Sequence, residues 1–219
     1  MTIPPDPTPV EPRDAATVLL LRERHGLEVY VMVRQATMEF AAGAAVFPGG
    51  GVAPVDATDA VAAAAATGWG ARMDCLDELA GAVVACAVRE TQEETGVVLR
   101  AGDLGLWDAW TTPERSPVRY RTWFFTAALP DGQEPAELST ESSSARWVRP
   151  AEALDLADEG SWDLRPPTYS AMLRLATFGT VAEVMAATRE ASVRMYTPTY
   201  VGDRTTVPAW AEELKAARG

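Results

Sequence analysis

The chain has 219 residues, of which 47% are hydrophobic, and its formal net charge is −12 at neutral pH. This length suits one domain with extensions, or two small domains, and supplies enough apolar side chains for a core. The negative charge argues against nucleic acid and against an anionic membrane surface as partners. One His and two Cys leave no basis for a His-based triad or a clustered zinc site. We find no signal-peptide pattern or membrane-length apolar run, so a cytoplasmic protein is the expectation.

The first part of the chain predicts an arm, a hairpin and a glycine-rich turn. Residues 1–14 are rich in Pro and Asp, which indicates a flexible N-terminal arm. Apolar runs predict three strands, at Ala16–Leu21, Leu27–Val33 and Ala45–Phe47. Pro48 and three glycines follow, where the backbone is free to approach a neighbour closely. Residues 53–76 then have the composition of an irregular insertion, and a connection of that length is typical of a functional or mobile segment.

An acidic helix follows the insertion. We expect it to begin near Asp74 or Asp77, either of which could cap it, and to end at Gly96. Helical geometry places three carboxylates on one face about 100° wide, those of Glu90, Glu93 and Glu94. Like charges at this spacing repel one another, and the single cation of Arg89 does not balance three acids. The acidic face therefore predicts a divalent metal ion, while an apolar face of the same helix packs on a sheet.

The remaining elements predict an α+β fold. Strands are expected at Val97–Leu99, Leu104–Trp110, Tyr120–Leu129 and Ala145–Val148. Helices are expected at Pro150–Asp158, Pro167–Phe178 and Val181–Arg189, followed by extended pieces that lie over the body of the protein. Strands mixed with few helices favour α+β over a doubly wound parallel sheet.

The segment RETQEETGV resembles the second half of the nudix box, G-x5-E-x7-R-E-U-x-E-E-x-G-U, in which U is apolar. The fixed positions of that motif are taken by Arg89, Glu90, Glu93, Glu94, Gly96 and Val97. The sequence FPGGG at 47–51 resembles the loop that opens the box. The resemblance covers residues 15–160 and implies a nudix-type α/β/α sandwich with a mixed sheet. Residues 161–219 are then a C-terminal helical extension and tail that pack on the same domain.

The box departs from its usual form in two ways. Between Gly50 and Arg89 lie 38 residues, more than the motif allows, so the insertion interrupts the box. Counting back from Arg89, Gly81 stands where the first Glu is expected, and Glu78 is nearby but out of register. An interrupted box resembles the acyl-coenzyme A diphosphatase subgroup. The resemblance implies hydrolysis of coenzyme A or acyl-coenzyme A to phosphopantetheine and 3′,5′-ADP.

The resemblance also implies the residues of the site. Mg²⁺ or Mn²⁺ would be held by Glu90, Glu93 and Glu94. Catalytic roles fall to Arg89, to Glu93, and to Glu141 in the loop before the Ala145–Val148 strand, with Glu137 as second choice for the base. The substrate side is assigned to Arg34, Phe47, Gly49 and Gly50. Within the coenzyme-A signature of related hydrolases Arg34 and Gly43 are in register, whereas Glu39 replaces an expected Arg.

Several alternatives stay open at the level of sequence. The substrate could be an ADP-sugar, a dinucleotide or a nucleoside triphosphate, and a non-catalytic nucleotide-binding sensor of nudix fold is a further reading. A homodimer is compatible with the sequence. Other candidates for phosphate contacts are Arg115, Arg119 and Arg121. Three aromatic residues are candidates for stacking on adenine, although core packing explains most of them as well: Phe40, Trp69 and Trp110.

Overall fold

The computed structural model describes residues 10–34, 44–58, 68–136, 142–202 and 204–218. Its strands are β1 (Arg13–Glu23), β2 (Leu27–Arg34), β3 (Ala45–Val46), β4 (Gly49–Gly51), β5 (Leu104–Thr111), β6 (Tyr120–Ala128), β7 (Ser142–Val148), β8 (Tyr200–Val201) and β9 (Arg204–Thr205). Its α-helices are α1 (Trp69–Met73), α2 (Asp77–Thr95), α3 (Pro150–Asp158), α4 (Pro166–Leu175), α5 (Val181–Thr188) and α6 (Ala209–Arg218). Short 3-10 helices span Pro54–Ala57 and Ala101–Asp103. None of the helices within these ranges is long and apolar enough to cross a membrane.

Within the described residues, strand β1 lies at the centre of a mixed sheet of seven strands. The order is β3-β2-β1-β6-β5, with β7 on β2 and β4 on β1. β1 runs parallel to β6 and antiparallel to both β2 and β4. Because β1 is eleven residues long, its first half pairs with the glycines of β4 while its second half pairs with β2. The predicted α+β architecture with a mixed sheet is confirmed.

Both faces of the sheet are buried, which explains the unbroken apolar run in β1. Val18 and Leu20 point to one face and pack in a cluster with α1 and α2, whereas Leu19 and Leu21 point to the other face and pack with α3, α4 and α5. All four side chains are fully buried. The helices therefore form a layer on each side of the sheet, in the predicted α/β/α order.

The segment predicted as the strand Val97–Leu99 is not a strand in the structure. Val97 and Leu99 are buried while Val98 is exposed, so the burial alternates as in a strand. The backbone of Val98 pairs instead with the side-chain amide of Gln133, at 2.7 Å and 3.0 Å. The side chain of Gln133 thus takes the place of a neighbouring strand. The alternation of apolar residues in the sequence is the same whether the backbone pairs with a strand or with a side chain.

Other boundaries also differ from the prediction. The acidic helix α2 begins at Asp77 after Leu76, which makes no side-chain cap, and Asp74 ends α1 with a left-handed backbone. β1 begins at Arg13, so two residues assigned to the arm are part of the sheet, and the N–H of Arg13 bonds to the carbonyl of Arg119 at 2.9 Å. Strand β4, helix α1 and helix α6 were not predicted, and only the first two residues of α6, Ala209 and Trp210, lie in a piece that was expected to be extended.

Candidate active site on the acidic helix

Helix α2 packs one face against the sheet, and the carboxylates of Glu90, Glu93 and Glu94 lie on a different face. Thr91 and Thr95 are fully buried, and their hydroxyls donate to the carbonyls one turn back, Ala87 and Thr91. The helix stops at Gly96, which has φ of 74°, a left-handed conformation suited to glycine. The predicted end of the helix and its apolar packing face are confirmed.

The glycine strand β4 lies directly against the acidic helix. The N–H of Gly49 donates to Oε2 of Glu94 at 2.8 Å. A Cβ on Gly50 would lie 2.4 Å from the Glu90 carboxylate, and one on Gly49 would lie 2.3 Å from the carbonyl oxygen of Ala16. Only residues without a side chain fit between β1 and α2 at this distance. The structure thus brings together the two halves of the interrupted motif.

Arg89 is the hub of the hydrogen bonds around this strand. Its Nε and Nη2 donate to the two carboxylate oxygens of Asp56, both at 2.8 Å. Its Nη1 donates to Glu90 at 2.8 Å and to Glu93 at 3.0 Å. Nη2 also reaches the carbonyl of Gly51 at 3.3 Å. One guanidinium therefore links the insertion, the glycine strand and two of the predicted metal ligands.

Burial and the hydrogen bonds of Arg89 shift the pKa values of the side chains in the site. Burial raises the pKa of Glu90 above its usual range, although the hydrogen bond from Arg89 opposes the shift. Burial also acts to raise the pKa of Asp56, but the Arg89 hydrogen bonds and the N–H of Ala53 outweigh it, so that pKa is lowered. The bond to Asp56 raises the pKa of Arg89. Beneath the glycine strand, burial raises the pKa of the Cys86 thiol to about 12, so it is a neutral packing group.

The three predicted metal ligands occupy different environments. Glu94 is buried against Gly49, Glu90 is half-buried beside Gly50, and the side chain of Glu93 is 58% exposed. Among the residues that the structure describes, no group of three or more His, Cys, Asp or Glu side chains is placed to hold a metal ion. Arg89 bonds two of the three acids, Glu90 and Glu93, and the assignment of all three as metal ligands stays a prediction.

The chemistry of the donors nevertheless fits a hard divalent cation. The set consists of carboxylate oxygens that outnumber the one cation beside them, and one of them faces solvent. Mg²⁺ and Mn²⁺ are bound through oxygen and keep several waters, so they do not need a closed protein cage. The residues present fit an ion held by a few carboxylates with water and substrate completing its shell.

Other predicted site residues lie elsewhere or outside the described ranges. Glu141, Glu137, Phe40 and the side chain of Arg34 fall outside them. Phe47 is 3% exposed and packs in the core, so its side chain does not face the glycine strand's open side. This corrects the assignment of the Phe47 side chain as a substrate contact, because the ring packs in the hydrophobic core.

The side chains that were alternative candidates for contacts with phosphate or adenine already bind or pack against other residues of the chain. Arg119 is buried and donates to the carbonyls of Thr112 and Val10. Arg121 makes a two-bond pair with Asp14, and Arg115 lies over the ring of Tyr200. Trp69 packs edge-on against Phe125, and Trp110 against Tyr196. Both tryptophans belong to the core, as the alternative reading held.

Sequence reasoning missed Asp56. It is 3% exposed and lies in the insertion, 33 residues before Arg89. A motif signal was available, because Asp56 stands six residues after Gly50, where the G-x5-E spacing of the box places its first acid, with Asp in place of Glu. A weak indication was available in PVDA, since Pro at the first position of a short helix with Asp two residues later favours a tight turn.

Comparison with known proteins gives a family match for part of the chain. Residues 75–169 match the family model described as the NUDIX domain. This part of the chain is therefore similar to NUDIX domains. The match begins just before α2 and runs through β5, β6, β7 and α3, so that β1 and the glycine strand precede the matched residues. The match agrees with the nudix resemblance over these residues, and the acyl-coenzyme A diphosphatase subgroup stays a prediction.

Solved structures extend the nudix fold to most of the chain. A nudix hydrolase from Alicyclobacillus acidocaldarius superposes with a TM-score of 0.70 at 24% identity, covering 84% of this chain and 98% of that one. The MutT protein from Bacillus halodurans gives a TM-score of 0.52 at 13% identity, covering 89% of this chain and 95% of that one. These likenesses establish the fold.

A curated relative is similar in sequence over a wider range than the family model. A Caenorhabditis elegans protein named as nudix hydrolase 7 is 30% identical over an alignment of 186 positions, which covers 75% of this chain and 60% of the relative. The chain thus spans less than two thirds of that relative's length. The similarity covers more of this chain than the NUDIX match does.

Proposed function

We propose that this nudix domain hydrolyses a diphosphate linkage in a nucleoside-diphosphate-linked small molecule, with the help of a divalent metal ion. The observation that carries the proposal is the contact between the glycine strand and the acidic helix. Gly49 bonds to Glu94, and Gly50 leaves just enough room for the Glu90 carboxylate. The glycine backbone leaves room for a phosphate group to approach closely. The neighbouring carboxylates could hold a divalent cation next to that phosphate.

Each residue of the site has a defined part in the proposed reaction. Glu90, Glu93 and Glu94 would hold Mg²⁺ or Mn²⁺, which when bound neutralises a diphosphate and lowers the pKa of an attacking water. Arg89 orients Glu90 and Glu93 through its Nη1. Glu93, the most exposed of these acids, is the first candidate to accept a proton from the attacking water. Glu141 is the second candidate for this base.

The substrate we favour is coenzyme A or an acyl-coenzyme A, cleaved to phosphopantetheine and 3′,5′-ADP. The support is the interrupted box and the sequence spacing of Arg34 and Gly43 from Gly49 and Gly50, which matches the coenzyme-A signature of related hydrolases. An ADP-sugar, a dinucleotide or a nucleoside triphosphate is the alternative with the same chemistry. We also propose that the protein is cytoplasmic and forms a homodimer.

A hydrolysis panel tests this directly. Free and acylated coenzyme A, an ADP-sugar, a dinucleoside polyphosphate and nucleoside triphosphates are incubated with Mg²⁺ or Mn²⁺, and the products are identified by mass spectrometry. We expect turnover of coenzyme A compounds with release of 3′,5′-ADP, and none after chelation. Turnover confined to another member of the panel transfers the assignment to that substrate. No metal-dependent turnover of any member rejects the enzyme.

A nucleotide-binding sensor is the competing function, and Glu94→Gln separates it from the enzyme. Gln keeps an oxygen that can accept from Gly49, so the fold should persist while the charge is lost. We expect turnover to fall at least about a hundredfold, whereas Glu78→Gln, the same change in the exposed first turn of this helix, should leave it intact. Tight nucleotide binding by an inert wild type would favour the sensor.

A further inference from the structure

The peptide that joins Pro48 to Gly49 is held from both sides. Its carbonyl oxygen accepts from the hydroxyl of Thr17 and from the N–H of Val18, both at 2.8 Å. Its N–H donates to Oε2 of Glu94, also at 2.8 Å. Because the C=O and N–H groups of a trans peptide point in opposite directions, this one peptide links β1 to the acidic helix α2.

The same peptide lies tightly against β1. A Cβ on Gly49 would lie 2.3 Å from the carbonyl oxygen of Ala16 and 2.6 Å from Cα of Thr17. Pro48 has no N–H of its own to donate to a neighbouring strand. The hydroxyl of Thr17 is a donor on the β1 side instead, and it also lies 3.3 Å from the carbonyl oxygen of Phe47. Strand β1 therefore holds the turn into β4 with a side chain as well as with its backbone.

Packing alone does not account for the hydroxyl of Thr17. The residue is 9% exposed and stands in the buried run from Ala15 to Leu21, whose other members are all apolar. Valine has the same shape and also favours strands, whereas a buried hydroxyl is costly unless it finds a partner. Of the two donors to the Pro48 carbonyl, Thr17 is the one that a change of side chain can remove.

We propose that Thr17 is a positioning residue for the hydrolysis, which acts on Glu94 through the peptide between Pro48 and Gly49. Its hydroxyl fixes the plane of that peptide, so that the N–H of Gly49 is directed at the carboxylate. The N–H in turn holds the carboxylate of Glu94 in one orientation for a metal ion, as hydrogen-bond partners of metal ligands do. This inference rests on the proposed function.

The first test compares Thr17→Val, which removes the hydroxyl and keeps the shape, with Thr17→Ser, which keeps the hydroxyl. For Thr17→Val we expect kcat and the affinity for Mn²⁺ alone, measured by isothermal titration calorimetry, to fall about tenfold, as for other residues that orient metal ligands. KM should change much less, and Thr17→Ser should stay close to wild type in kcat and Mn²⁺ affinity. Wild-type values in Thr17→Val, or equal losses in the two variants, would overturn the proposal.

A matched control for the loss of a buried hydroxyl is Thr126→Val. Thr126 lies in β6, on the edge of β1 opposite to the glycine strand, and its hydroxyl bonds to that of Thr188 at 2.8 Å. We expect both valine variants to lower Tm, but only Thr17→Val to lower kcat and Mn²⁺ affinity. Losses of kcat and Mn²⁺ affinity that follow the loss of Tm in both variants would show a purely structural role and reject the inference.

A double-mutant cycle tests whether Thr17 acts through Glu94. If it does, Thr17→Val combined with Glu94→Gln should lose no more turnover than Glu94→Gln alone. Additive losses would show an independent action and reject the inference. If Thr17→Val does not fold, Thr17→Cys replaces it, because a thiol is only a weak donor. Wild-type kcat and Mn²⁺ affinity in Thr17→Cys would then contradict the proposal.

The two proposals fail in distinguishable ways. A wild-type protein that turns over nothing in the panel rejects the proposed hydrolysis. Thr17 is then judged by Mn²⁺ affinity, and a Thr17→Val variant with unchanged affinity rejects its positioning role too. A wild-type protein that also binds no Mn²⁺ rejects both. Normal turnover in Thr17→Val, with normal turnover in wild type, rejects the positioning role alone.

Discussion

Gly50 and Gly51 are neighbours in one short strand but meet different surroundings. A Cβ on Gly50 would lie 2.4 Å from the carboxylate of Glu90, whereas the nearest atom to a Cβ on Gly51 would be the carbonyl oxygen of Asp14, at 3.9 Å. At Gly50 alone of these two glycines, the space that a side chain would need is occupied by a residue of the site. The two positions therefore form a matched pair for an experiment.

We expect Gly50→Ala to lower kcat/KM by about tenfold or more, because the new methyl group displaces the Glu90 carboxylate from its place. The fold should survive, since the displaced atoms are at the end of a flexible side chain. Gly51→Ala should retain activity near that of wild type. The measurement is kcat/KM with thermal unfolding as the control for folding, and equal activity in the two variants would contradict the role given to Gly50.

The pairing of Asp56 and Arg89 also predicts how stability depends on pH. The pKa of Asp56 lies below its usual value in the folded protein, so its contribution is fully present above the unfolded pKa and is lost as pH falls through the folded one. The difference in unfolding free energy between wild type and Asp56→Asn should be constant from about pH 5 to about pH 8 and shrink below about pH 4. Urea titrations across this range measure it. A difference that grows toward acid pH would contradict the assignment.

At the residue scale the sequence predicted the acids but not their partner. Glu90, Glu93 and Glu94 share a helix face because of helical geometry, which is local. Asp56 stands six residues after Gly50, at the spacing of the first acid of the box, but its contact with Arg89, 33 residues later, exists only in the folded chain.

At the scale of elements, the insertion is joined to the end of α5. Arg72, in α1, donates from Nε to the carbonyl of Ala191 at 2.9 Å and from Nη2 to that of Thr188 at 3.1 Å. The guanidinium also lies over the ring of Trp69 at 4.2 Å. These carbonyls belong to the end of α5 and the turn after it, where a cation is favourable. One side chain thus joins the helix of the insertion to the C-terminal part of the chain.

Replacing Arg72 by Met should destabilise the protein while leaving its chemistry alone. Met retains apolar contact with Trp69, but the hydrogen bonds from a charged donor are lost, worth about 1.5–3 kcal/mol. For a domain of this size we expect Tm to fall by about 3–10 °C. Arg24→Met, in the exposed turn between β1 and β2, should not change Tm. Scanning calorimetry measures both, and a loss of turnover without a loss of stability would contradict this purely structural role.

The elements that prediction missed are those that depend on a partner. Three successive glycines have low strand propensity, and β4 exists because β1 supplies its ladder from Ala15 to Thr17. Helix α6 is short, and its Arg218 is bound by Asp155 and Asp158 of α3. Isolated helices of this length are marginal in water, so tertiary contacts decide whether they form.

At the scale of the whole molecule, a bound metal ion should stabilise the folded state. Binding to the folded protein alone adds about 3 kcal/mol at a free concentration a hundred times Kd, which corresponds to a rise in Tm of about 6–10 °C for a chain of this size. We expect Mn²⁺ or Mg²⁺ to produce this rise in chelator-treated wild type, measured by scanning fluorimetry. Glu94→Gln should show a smaller rise, and Glu78→Gln the same rise as wild type. No shift at any concentration would argue against a metal site.

The acidic helix and its end at Gly96, the main strands and the α+β class could be predicted from sequence, because periodicity, capping and apolar runs are local properties. The sequence also determined the resemblance to a nudix domain, since the motif positions around Arg89 are contiguous. Only the tertiary structure decided that Gly49 bonds to Glu94, that Phe47 points into the core, and that Asp56 holds Arg89. These depend on contacts between segments 30 or more residues apart, whose register is set by packing on β1 and α2 and not by any neighbour in the chain.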